Sequence, residues 1–340
     1  MVTKEKVREL WDIIHESQFN GVISIEYDTN PLLSEGFGMA NFEHQVPNTT
    51  KTRFRIASIT KQFTAVAILQ LVDRGFLKLH DPITLVLPSF PNGDQITIHH
   101  ILTHTSGIPN FALEMDFYDV LHAESVEDAL IDLFMNEPLQ FDPGSQFAYS
   151  ISGFLVLGKI IEKITGISYE EYIRINIFEP LGMLNSGFDH WQQIVEGRAN
   201  AYEMRNGEIV NADFIDMRIA GAGGGLYSTI EDLHLFNHAL KNGDIISPEA
   251  VELMFGNQFT IVEGAYCGYG IFLQYDDHFG KKRHRQYHAG GGVGVRSMNI
   301  YLPDDKLTIT MISNVNDKET FGTITHEIER VLLTEDAKSE

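Results

Sequence analysis

Residues 58–74 hold the feature that most restricts what this chain can fold into. Phe63, Ala65, Val66, Ala67, Ile68, Leu69, Leu71 and Val72 nearly encircle a helix that stops at Gly75, in the position of a C-terminal cap. A helix apolar on all sides belongs in a core rather than on a surface. Lys61 nevertheless lies within it. A buried lysine requires a partner or a function, so the fold must both enclose this helix and provide for its amine.

The patterns on either side suggest how it is enclosed. Val7, Leu10, Trp11 and Ile14 predict an amphipathic helix over residues 3–17. Residues 21–27 and 35–42 read as a strand pair around an Asn30-Pro31 turn. Between about 76 and 225 the signal is helical with long loops, as at 126–136 and at 154–164, the latter closed by Gly166. Gly221-Ala222-Gly223-Gly224-Gly225 leads into a helix opened by Thr229, with Asp232 in the place of a capping-box partner, and ended by Gly243. Strand patterns return at 268–275, 287–288, 295–302 and 307–313, the last two joined by Pro303-Asp304-Asp305. Phe321, Ile324, Ile328, Val331 and Leu332 mark a final helix. These patterns predict an α+β (α/β) fold: an antiparallel sheet built from both chain ends and flanked by helices, with an inserted, mostly helical domain. The expected boundaries are 1–75 with 226–334 for the discontinuous sheet domain, 76–225 for the helical domain, and 335–340 for a disordered tail.

Composition narrows the partners. A formal charge of −22 opposes nucleic acid and anionic membranes, because phosphate is repelled at long range. The basic run Lys281-Lys282-Arg283-His284-Arg285 reads as a solvated hairpin tip. Cys267, the only cysteine, precludes an intrachain disulfide and reads as a passive core residue. No apolar run approaches the roughly 18 residues of a membrane span. The N-terminus has no signal-peptide apolar stretch, so the protein is expected to be cytoplasmic as it stands, or exported with its leader removed.

Ser58-Ile59-Thr60-Lys61 places a hydroxyl and an amine three residues apart at the start of the apolar helix. On one helix face the amine reaches the hydroxyl. Serine is a poor nucleophile until a neighbour takes its proton, and a desolvated lysine can do so. The helix N-terminus adds a free N–H where an oxyanion would develop.

Five further segments follow in order: Leu102-Thr103-His104-Thr105-Ser106-Gly107-Ile108, Pro143 to Ser150 with Tyr149, Gly223 to Thr229, His288-Ala289-Gly290, and Gly294-Val295-Arg296-Ser297 with Pro303-Asp304 and Ser313-Asn314. With the Ser-x-x-Lys element they resemble the serine β-lactamase and penicillin-binding protein family, including class C β-lactamases, DD-peptidases and related esterases, over about residues 54–314. The resemblance implies a serine hydrolase working through an acyl-enzyme. Ser58 would be the nucleophile, Lys61 its proton partner and Tyr149 a second proton carrier. The backbone N–H groups of Ser58 and Gly291 would form the oxyanion hole, with Gly290 beside them.

Two positions depart from the family pattern. Ile151 stands where the Tyr-x-Asn element has asparagine, and it cannot donate to a substrate carbonyl or bond the lysine. Ser150 and Ser152 are neighbouring candidates for that duty. His288 replaces the lysine of many β-lactamases, so capture of a substrate carboxylate loses its fixed charge. If His288 still performs it, substrates with a free carboxylate should gain on neutral esters as pH falls toward about 6. Arg296 is an alternative source of positive charge or a structural ion-pair partner. The expected substrate is a small molecule or peptide: an ester or a D-amino-acid peptide, with β-lactams as ligands and a dedicated β-lactamase less favoured. The alternative is a penicillin-binding sensor that acylates or binds with little turnover.

There are 14 histidines, but no His-Glu-x-x-His, since His15-Glu16 and His326-Glu327 lack the second histidine. No phosphate-binding glycine loop occurs. Neither a metal nor a cofactor is expected, and the sequence leaves the oligomeric state open.

Overall fold

The computed structural model describes residues 3–111, 118–123 and 125–334. Its centre is an eight-stranded sheet made from both chain ends. The strands are β1 (Gly21–Tyr27), β2 (Asn30–Phe37), β3 (Phe259–Val262), β4 (Ala265–Cys267), β5 (Phe272–His278), β6 (Lys281–Gly292), β7 (Val295–Leu302) and β8 (Leu307–Ser313). Their order is β3-β4-β5-β6-β7-β8-β1-β2, with every neighbouring pair antiparallel. Gly21 pairs with Ser313, so the last strand of this sheet in chain order joins the first.

Alternation along these strands separates two cores. On the outer face Ile23, Ile25, Ile300, Leu302, Ile309 and Met311 meet helices α1 (Lys4–Glu16) and α5 (Lys318–Leu333) through Leu10, Ile14, Phe321, Ile324 and Ile328. On the inner face Val22 and Ile312 join the larger core around helix α2 (Thr60–Asp73). Helix α3 (Ile151–Thr165), in the helix-rich middle of the chain, packs on the same core through Phe154, Leu157 and Ile161. Helix α4 (Ile230–Asn242) joins it through Leu233, Phe236 and Leu240.

Helix α2 is enclosed as its composition demands, every side chain from Thr60 to Leu71 being buried. It ends in a Schellman motif: Gly75 N donates to Val72 O at 2.9 Å and Phe76 N to Leu71 O at 2.9 Å, with Gly75 at φ +75°. Ser58 is not the first α-helical residue. It sits in a 3₁₀ turn, Ala57–Ile59, that leads into α2.

A saturated amide cluster pins α2 and α4 to the sheet. Asn299 on β7 donates to Gln62 Oε1 (3.1 Å) and Asn237 Oδ1 (2.8 Å), and accepts from Asn237 Nδ2 (2.9 Å) and Thr310 Oγ1 (3.1 Å). All four of its side-chain bonding positions are thereby filled.

Several local expectations change. The β1–β2 turn is Asp28-Thr29, both at positive φ, while Asn30 and Pro31 already pair with Tyr27 and Glu26. The strand expected over 268–275 is split, because residues 268–271 turn out of the sheet before β5 begins. Gly270 there, at φ +68°, lies where a Cβ would come within 2.7 Å of the Lys61 carbonyl oxygen. Of the basic run only Lys281 and Lys282 are exposed at the hairpin tip. Arg283 is buried against Asp305 and the Leu333 carbonyl, and Arg285 pairs with Glu329. A hairpin of Tyr202–Arg205 and Glu208–Asn211 carries too little apolar alternation to show in the sequence. The tail 335–340 lies outside the described residues. Among those described, no helix is long and apolar enough to cross a membrane.

Candidate active site

The turn that carries Ser58 is held from two sides. Arg55, three residues before Ser58, donates to the fully buried Asp189 at 2.5 Å, and Arg198 also pairs with that carboxylate. On the other side Ser297 Oγ donates to the Ile56 carbonyl at 2.8 Å. Gly290 faces the same turn, where a Cβ would fall 2.7 Å from Ile56 O and 3.1 Å from Ala57 Cβ. Ala57 itself takes φ +46°, a left-handed conformation that costs a β-carbon-bearing residue energy and is tolerated where surroundings over-determine it. The turn thus presents Ser58 part-exposed beside buried neighbours.

Lys61 Nζ lies 3.3 Å from Ser58 Oγ and donates to the Gly223 carbonyl at 2.6 Å. The amine is fully buried, and burial lowers its pKa from 10.5 to about 7. It has aromatic rings to the side, with Tyr149 and Phe154 centroids at 4.8 and 5.3 Å. The glycine run explains itself here. At Gly223 a Cβ would meet Ile151 Cγ2 at 2.9 Å and Lys61 Nζ at 3.5 Å, so only glycine brings this carbonyl to the amine. The neighbouring Ala222 carbonyl accepts from Thr64 Oγ1 at 2.6 Å.

Tyr149 is 37% exposed, and Ser58 lies close enough to its hydroxyl to act on the phenol's titration. Burial pushes the phenol pKa up, and Ser58 partly opposes that. The Cys267 thiol lies in the same neighbourhood, buried and with its pKa raised to about 12 by burial. It is held as a neutral thiol rather than a nucleophile.

His288 is 1% exposed. Its Nδ1 donates to the Ala289 carbonyl at 2.8 Å, which leaves the lone pair on a buried, unpartnered Nε2. Burial and then Lys61 lower its pKa to about 3, so the ring is neutral. Beyond Tyr287, the last β6 residue paired with β5, the edge at residues 288–292 has no strand partner on that side. Gly291 lies on this edge, one residue past Gly290.

Ser58, Lys61, Tyr149, His288 and Gly290 therefore converge, with Gly291 next along the strand edge, and three other candidates are engaged in structural contacts. Ser150 is buried and its Oγ accepts from Gly153 N at 3.1 Å, as the N-cap of α3, so its hydroxyl is already committed. Ser152, at the same helix start, accepts from Phe111 N. Arg296 pairs with Gly291 across the sheet and lies on the opposite face from Ser297, away from Ser58, where its Nε donates to Asn316 Oδ1 at 2.7 Å. Ile151 does border the amine through Gly223, and contributes contact but no hydrogen bond from its side chain.

Three further histidines are engaged in structural contacts. His99 Nδ1 bonds the Tyr269 hydroxyl (2.8 Å), His100 closes a capping box with Thr97, and His284 stacks on Tyr275.

A family model described as Beta-lactamase matches residues 4–332, and the chain belongs to that family of serine hydrolases. It is 29% identical to penicillin-binding protein 4* of Bacillus subtilis (strain 168), over 92% of this chain and 72% of that protein. It is 39% identical over 167 residues to esterase EstB of Burkholderia gladioli, covering 44% of this chain and 42% of the esterase. Among solved structures, D-amino acid amidase from Ochrobactrum anthropi SV3 superposes with a TM-score of 0.83 at 24% identity, over 97% of both chains. That last likeness is one of fold.

Proposed function

We propose that this protein hydrolyses carboxylic esters and D-amino-acid derivatives through an acyl-enzyme on Ser58. The observation that carries the reading is the Lys61 amine: buried, with a pKa near 7, and 3.3 Å from the serine oxygen. Because Nζ spends a hydrogen on Gly223 O, its lone pair is free in the neutral state to take the Ser58 proton. Ser58 Oγ then attacks the substrate carbonyl, and the developing oxyanion is received by the N–H groups of Ser58 and Gly291. The C–O or C–N bond breaks as the proton held on Lys61 passes through the Tyr149 hydroxyl to the leaving group. Water enters, gives a proton back along the same route, and releases the acid with Ser58 restored.

The substrate range follows from two residues. A neutral, buried His288 offers no fixed charge to a carboxylate, and Ile151 offers no donor to an amide side chain. Neutral esters demand neither. Ile151 also favours the second reading, a penicillin sensor that acylates with little turnover.

Wild type and Ser58→Ala incubated with a p-nitrophenyl ester and a fluorescent penicillin separate the two. Steady ester turnover lost with Ser58→Ala supports the hydrolase. Stoichiometric labelling without turnover supports the sensor. Turnover that survives Ser58→Ala overturns both.

A further inference from the structure

The N–H groups of the residues before and after Tyr149 both end on one residue. Ala148 N donates to the His104 carbonyl at 2.9 Å, and Ser150 N donates to His104 Nδ1 at 3.2 Å. The imidazole also lies against the phenol, with ring centroids 4.5 Å apart. Phe147, Phe154 and Phe272 surround it at 5.8, 5.2 and 6.3 Å. His104 is 2% exposed and takes φ +57°, which turns its carbonyl and side chain toward the same segment. Backbone strain of this kind is kept where the surroundings fix it, often beside reacting groups.

The tautomer follows from the bonding. A peptide N–H only donates, so Nδ1 is the acceptor and a neutral ring carries its proton on Nε2. Burial, Lys61 and His288 all keep the ring neutral, lowering its pKa well below 6.5. A charged imidazolium would present a donor to Ser150 N and break the bond.

We propose that His104 is the positioning residue of Tyr149, clamping the amides on either side of it so that the phenol hydroxyl stays at Ser58. This rests on the acid–base part assigned to Tyr149 above. A phenol displaced by a fraction of an ångström still admits substrate but relays the proton poorly.

The test is ester turnover by the full-length protein in a double-mutant cycle, with Asn and Gln variants of His104 beside it. Asn places an amide oxygen near the Nδ1 position and tolerates positive φ, whereas Gln places its amide near Nε2. His104→Ala and His104→Gln are expected to lower kcat by about 10- to 100-fold with KM within about twofold, and His104→Asn to stay within about threefold of wild type. In a Tyr149→Phe background His104→Ala should add less than about a twofold loss. Multiplying losses in the double variant overturn the proposal, as does equal activity of the Asn and Gln variants, which decides the matter if His104→Ala fails to fold. If Tyr149→Phe alone leaves kcat unchanged, the role given to Tyr149 falls first and the clamp with it.

Discussion

Lys61 Nζ makes its shorter hydrogen bond, 2.6 Å, to the Gly223 carbonyl and stands farther, 3.3 Å, from Ser58 Oγ. A backbone carbonyl accepts from an amine without requiring it to be charged. It gives the amine a partner where the Ile151 side chain offers none, and it leaves the nitrogen lone pair for the serine.

Activity should therefore follow deprotonation of this amine. Below about pH 7 the neutral fraction of Lys61 falls tenfold per unit, and kcat/KM for a neutral ester should fall with it. The measurement is a pH–rate profile of kcat/KM on a p-nitrophenyl ester between pH 5 and 9. A profile flat through pH 7 removes Lys61 as the base.

The same burial costs stability. The folded pKa lies below the unfolded value of 10.5, so between about 7 and 10.5 the unfolded chain holds a proton that the native chain lacks. Stability from this group rises with pH across that window and bears its full cost below it. Lys61→Met should abolish turnover yet raise the melting temperature, by the equivalent of roughly 4 kcal/mol at neutral pH, with the gain shrinking toward pH 10. Melting curves of both proteins at pH 6 and pH 10 check this. An advantage that does not change with pH contradicts it.

His288 becomes charged only near pH 3, far below working conditions. The ratio of kcat/KM for carboxylate-bearing and neutral esters should stay flat from pH 5.5 to 8.5, unlike the gain toward pH 6 expected of an exposed histidine. Competition between paired substrates across that range gives the ratio. His288→Lys should shift it toward the anionic substrate.

Ile151→Asn restores a donor beside Lys61. It should speed acylation by a fluorescent penicillin roughly 5- to 100-fold, the equivalent of one hydrogen bond of about 1–3 kcal/mol. Labelling rates of the two proteins decide it, and unchanged rates would show that the donor is not what limits β-lactam recognition.

Asn299→Leu leaves Gln62 Oε1 and both Asn237 amide atoms without their bonds in a buried space. A loss of about 3 kcal/mol is expected from orphaned polar groups, seen as a lower urea midpoint at unchanged slope. A stability change below about 1 kcal/mol would mean that the cluster repacks.

The sequence carried the architecture well because it was written in periodicity and composition. Helix α2 could only be a core helix, and strand patterns at both ends required one sheet. Ser58, Lys61, Tyr149 and His288 stood out as candidates through motif order. What escaped notice depends on direction. Arg296 lies at the right distance in sequence, but alternation along β7 turns it to the far face. Ser150 looked like a free hydroxyl, yet a serine before an apolar helix is also an N-cap signal, and that use occupies it. The Gly223 carbonyl is a backbone feature, and His104 meets the Tyr149 segment through both its carbonyl and its ring. Their only trace was a glycine run too dense for a simple turn and a histidine beside Thr105-Ser106-Gly107.

The pairing of Gly21 with Ser313 also sets an order on biosynthesis. β1 leaves the ribosome long before β8, its inner neighbour, exists. Until β6, β7 and β8 have emerged, helix α2 has no sheet to cover it and Ser58 has no Gly290 edge beside it. Contacts so distant in sequence close slowly. The candidate site is thus completed only once residues 307–313 have been made, and a chain cut short before residue 307 would be a nascent polypeptide with Ser58 present and the surroundings of that serine unbuilt.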